Sequence, residues 1–69
     1  MNKKYNVYIV SIKNRQAEAK IGEEMTESQA EKRVLTGLSR IDRENYFVGD
    51  YEVGSEPDLK FAEDIKNNN

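Results

Sequence analysis

Lys4-Tyr5-Asn6-Val7-Tyr8-Ile9-Val10-Ser11-Ile12 is the stretch that decides the fold. β-Branched residues and tyrosines crowd it, which predicts a β-strand. Alternate residues of a strand point to opposite sides. Tyr5, Val7 and Ile9 therefore share one face, and Tyr8, Val10 and Ile12 share the other. Both faces are apolar, and such a strand belongs in the middle of a sheet that is covered on its two sides.

Working outward, Asn14-Arg15-Gln16 is a polar turn, and Ala17, Ala19 and Ile21 alternate with Glu18 and Lys20 beyond it. That alternation predicts a half-buried strand over 17–22 that folds back on the first as a hairpin and stops at Gly22. Thr26-Glu27-Ser28-Gln29 matches a capping box, with Thr26 as N-cap and Met25 placed to staple onto Ala30. Ala30, Val34, Leu38 and Ile41, with Leu35 beside them, then form one stripe of an amphipathic helix. Glu27 and Glu31 near its start, and Arg40 and Arg43 at or beyond its end, suit the helix dipole. Gly37 inside the helix is explained by a close approach of helix to sheet.

Tyr46-Phe47-Val48 opens a third strand that runs to Val53. One of its faces (Tyr46, Val48, Asp50, Glu52) turns acidic halfway along, which suits an edge. After Gly54, Ser55 resembles a helix cap, and Leu59, Ala62 and Ile65 fit a helical stripe. Leu59 and Phe61 also fit a short strand; the helix is preferred. The expected fold is thus α+β: a three-stranded antiparallel sheet of order 2-1-3 (ββαβ), one helix on one face, and a short C-terminal segment. Residues 1–66 form a single small domain and residues 67–69 a disordered tail.

The chain has 69 residues, enough for one domain and a thin core. It contains no histidine and no cysteine, which removes disulfides, Ser-His-Asp and Cys-His arrangements, and the usual zinc sites. Its apolar runs are short of a membrane span, and no signal-peptide pattern opens it, so the cytoplasm is the expected location. Glu23-Glu24, Asp50/Glu52, Glu56/Asp58 and Glu63-Asp64 are carboxylate pairs, but a small sheet with one helix offers little cleft in which they could converge. They read as solvated acids. The four glycines are scattered and build no phosphate loop. The expectation is a protein that is not an enzyme and takes no metal or cofactor.

Charge is unevenly placed within the formal total of −2. Residues 1–22 carry five cations and one anion, whereas residues 23–69 carry six cations and twelve anions. Three functional readings follow. With the helix on one face, the other face of the first strand is open unless the tail or a second copy covers it, and open apolar patches mark interaction surfaces. Tyr5, Val7, Tyr8 and Val10 on that strand, with the acids Asp50, Glu52, Glu56 and Asp58, are the candidate protein contacts, in a monomer or a weak homodimer. The alternative is nucleic-acid binding through Lys13, Arg15 and Lys20 of the hairpin. It has against it the acidic total, because phosphate binding rests on a cationic surplus. A third reading is an acidic inhibitor that mimics DNA.

The stretch Met25-Thr26-Glu27-Ser28-Gln29-Ala30-Glu31-Lys32-Arg33-Val34-Leu35, followed by Tyr46-Phe47-Val48 and Tyr51-Glu52-Val53, resembles small uncharacterised proteins of phages and prophages of Gram-positive bacteria. The resemblance covers residues 20–53 and carries no functional residues with it. It implies a small accessory protein in the cytoplasm of a bacterial host, of a kind that can bind and redirect a host protein.

Overall fold

The computed structural model describes residues 3–62. Three strands, β1 (Tyr5–Ser11), β2 (Gln16–Met25) and β3 (Tyr46–Glu52), flank one helix, α1 (Glu27–Leu38), in the order β1-β2-α1-β3. They form an antiparallel sheet of order β2-β1-β3. The strand with two apolar faces is central, as its pattern predicts, and the fold is α+β.

The hairpin closes differently from the expectation. Ser11 pairs with Gln16, so β1 ends there and Ile12 becomes the first turn residue. The Ser11 carbonyl accepts from the Arg15 amide at 2.8 Å, and Arg15 takes a left-handed φ of 54° to make the turn. Ile12 is consequently exposed instead of extending the face of Tyr8 and Val10.

β2 does not stop at Gly22 but continues to Met25 and leads directly into the Thr26 cap. It has ten residues against seven in β1, and its register slips at three places. Ile9 pairs with Ala19 but Val10 pairs with Ala17, so Glu18 is an inserted residue. A one-residue slip moves later side chains to the opposite face. Ala17 therefore packs with Tyr8 and Val10, while Ile21 packs on the helix side, although simple alternation would put them together. The slip nearest the helix is stitched by Asn6, whose Oδ1 accepts from the Glu24 amide at 2.9 Å where Glu24 has a φ of 48°.

The capping box is complete: Gln29 N–H donates to Thr26 Oγ1 at 3.2 Å, and the Thr26 amide donates to Gln29 Oε1 at 3.2 Å. Met25 and Ala30 join the same apolar cluster, as a staple requires. At the far end Arg43 Nε donates to the Leu38 carbonyl at 3.0 Å, which satisfies one orphan acceptor with a cation. Gly37 is buried where a Cβ would lie 2.9 Å from Ile21 Cδ1 and 3.0 Å from Val48 Cγ2. This is the close approach that its position suggests.

Two apolar clusters lie on opposite sides of the sheet. Val7, Ala30 and Val48 form the helix-side core, with Ile9, Ile21, Val34, Leu38 and Ile41 around them. Tyr8, Val10 and Ala17 form the second, covered by Tyr51, Leu59 and Phe61. The tail crosses this second face as an extended strap. Asn6 Nδ2 donates to Glu56 at one end, and the Ala17 amide donates to the Lys60 carbonyl at 2.8 Å at the other, beside a parallel bridge of Ala17 with Phe61. Tyr8 lies between Tyr51 and Phe61, at centroid distances of 5.9 and 5.6 Å. From Glu56 to Lys60 the chain is not helical, against the preferred expectation, because anchoring at both ends lets Leu59 and Phe61 reach across the sheet. Ile65, the domain limit at residue 66 and the tail 67–69 lie outside the described residues.

Candidate functional site

The apolar residues singled out on β1 are interior. Val7 is 0% exposed beneath the helix, while Tyr8 (5%) and Val10 (3%) lie under the tail. Tyr5 is half-buried on the helix side. The second sheet face is not open, since a segment of the same chain covers it. As contact residues these four would need the strap or the helix to move.

The acids do not gather in one array. Asp50 and Glu52 stand on the helix side of β3, Glu56 reaches the opposite side to accept from Asn6, and Asp58 is exposed on the strap. Glu52 pairs with Lys3 at 3.8 Å. The cations of the hairpin are also divided. Lys13 and Arg15 are exposed at the turn, whereas Lys20 lies further along β2 and donates to Glu23 at 3.2 Å. That hydrogen bond, more than the nearby charges, raises the Lys20 pKa above its ordinary value.

A different polarity emerges around the helix. Its flank over β2 presents Lys32 and Arg33, and the turn after it presents Arg40; Arg33 and Arg40 lie beside Ile9, Ile21 and Ile41 in a groove. Its flank over β3 presents Glu27 and Glu31, one turn apart, with Leu35 the next turn on. Leu35 is 69% exposed, more than any other large apolar side chain among the described residues, so it stands outside the core stripe beside which its spacing put it. With Glu31, Val34 and Asp50 it lines an open hollow of about 310 Å³. Phe47, on the opposite face of β3, is 39% exposed.

This acidic, apolar-floored margin between α1 and β3 could hold a cationic side chain next to an apolar one. Glu31, Val34 and Leu35 are missing from the candidate contact residues read from the sequence. Leu35 follows Val34 directly, and successive helix residues point about 100° apart, so Leu35 falls beyond the edge of the Ala30-Val34-Leu38 stripe. The signal in hindsight is Glu27-Glu31-Leu35 at i, i+4 and i+8: two like charges and a leucine along a single line.

Tyr51 has its phenol pKa raised, chiefly by burial and then by the Asp50 carboxylate. Among the described residues, no three His, Cys, Asp or Glu side chains are grouped to hold a metal ion, and no helix is long and apolar enough to cross a membrane. No protein-family model, curated protein or solved structure matches this chain.

Proposed function

We propose that this chain is a small non-catalytic protein-interaction module, of the kind a phage accessory factor or inhibitor would use to bind a host protein. The observation that carries the reading is Leu35, a large apolar side chain 69% exposed in the body of α1. It stands over a hollow that Val34 floors and Glu31 and Asp50 rim. Contiguous exposed apolar surface rimmed by charge is a common sign of a protein contact, and Leu35 adjoins the half-buried Val34 there. The proposed site is therefore the α1–β3 margin and not the face of β1 that the strap covers. The hairpin reading has less support, because Lys20 is held by Glu23 and leaves only Lys13 and Arg15 together at the turn.

The test is capture from a Gram-positive bacterial lysate on immobilised protein, with Leu35→Glu in parallel. Proteins retained by the parent and lost from the variant are the expected result, since a substitution at so exposed a position leaves the core intact. Titration with DNA and RNA at low ionic strength should show no binding. Capture that ignores Leu35, together with salt-sensitive nucleic-acid binding, would replace this function with the alternative.

A further inference from the structure

The sheet has two edges, β2 and β3, and they are not equally protected. β2 slips in register three times, and the tail engages its outer side at Ala17. Bulges and covering segments are the usual means of keeping an edge from pairing with foreign chains. β3 has neither. It runs from Tyr46 to Glu52 against β1 without a slip.

Which of its backbone groups face outward follows from parity, because antiparallel residues alternate between pointing at their neighbour and away from it. The Ile12 amide donates to the Asn45 carbonyl at 2.9 Å, and the Val53 amide donates to the Lys4 carbonyl at 2.8 Å. Asn45 and Val53 therefore face β1, with Phe47, Gly49 and Tyr51 in phase with them. Tyr46, Val48, Asp50 and Glu52 face out. Local turns use the Tyr46 amide, which donates to Asp42, and the Glu52 carbonyl, which accepts from Ser55. The amides and carbonyls of Val48 and Asp50 have no backbone partner among the described residues.

This open ladder adjoins the hollow of Glu31, Val34, Leu35 and Asp50. A strand added there would direct alternate side chains onto Val34 and Leu35 and toward the two carboxylates. A second copy of this chain would bring its own Asp50 and Glu52 against these acids, so charge selects another occupant. We infer that the β3 edge binds an extended, basic segment of a partner protein by strand addition, with an apolar residue between two cationic ones on the helix side. The inference rests on the protein-interaction reading above and names where and what that module binds.

The probe is a short capped, fluorescein-labelled peptide in which threonine alternates with lysine, valine and lysine. Three results are expected: saturable binding that weakens as salt is added, slower exchange of the Val48 and Asp50 amides on binding, and an affinity about tenfold lower when the peptide valine is N-methylated. Asp50→Asn and Leu35→Ala, both at exposed positions, should each weaken binding several-fold. The inference is overturned if the peptide does not bind, if the N-methyl peptide binds as well as the parent, or if protection appears elsewhere, as around Ile9 and Arg40. Sedimentation as a dimer that masks the same amides would also overturn it. Leu35-dependent capture from lysate persisting beside any of these outcomes would leave the module reading standing without the strand-addition mode.

Discussion

Gly37 shows how a single atom sets the distance between layers. A methyl group there would approach Ile21 Cδ1 to 2.9 Å and Val48 Cγ2 to 3.0 Å. Alanine gains about 1 kcal/mol in helix propensity over glycine, but crowding a packed core costs about 1–3 kcal/mol. Isoleucine can swing its terminal methyl aside and a buried valine cannot, so crowding wins. Gly37→Ala should lower stability by about 1 kcal/mol, read as a lower urea midpoint with an unchanged slope. Tyr51 offers a second test at this scale. Burial favours its neutral phenol, so its folded pKa lies above the ordinary value of 10.0. The stability this confers is complete below that ordinary value and is lost as pH rises through the folded pKa. Alkaline titration of the urea midpoint should therefore fall more steeply for the parent than for Tyr51→Phe. Equal slopes would show that Tyr51 does not report on folding.

The elements differ in how far their residues announce them. Thr26-Glu27-Ser28-Gln29 specifies the start of α1 because capping is local chemistry, and both reciprocal bonds form. Thr26→Ala should cost about 1 kcal/mol in urea melts, the usual value of an N-cap; no change would mean that solvent serves the helix end equally well. The order β2-β1-β3 was legible for a similar reason, since a strand apolar on both faces has one sensible place. β2 was legible only in part. Its insertions depend on partners distant in sequence, such as Asn6 with Glu24, and nothing in the alternation of Ala17, Ala19 and Ile21 reveals that Glu18 is a bulge. The surface margin was the least legible. Leu35 and Val34 are neighbours of one chemical class, and the turn of about 100° between consecutive helix residues sends one out and half-buries the other.

At the scale of the whole molecule, the sheet is a central layer with unequal covers, a helix on one face and a strap of a few residues on the other. Leu59 and Phe61, with the Glu56 and Lys60 bonds, are what the strap contributes over Tyr8, Val10 and Ala17. Removing residues 55–69 should lower stability by about 2–4 kcal/mol, the scale of two partly buried large side chains. It should also bare enough apolar surface to cause association, which sedimentation would detect. A truncated chain as stable as the parent and no larger in solution would show the strap to be dispensable.

The insertions in β2 also bear on changes of chain length. Loops ordinarily absorb gained or lost residues, and strand interiors do not. β2 already holds three residues beyond the seven of β1, so a deletion at Glu18 would shorten a strand without breaking its ladder. Ile9 would still face Ala19 and Val10 would still face Ala17, so Ala17 would stay on the side of Tyr8 and Val10 with its amide turned outward to Lys60. The strap and the hairpin tip are thus insulated from the residue count at this point, and a lineage could lose the surplus residue without finding the strap a new anchor.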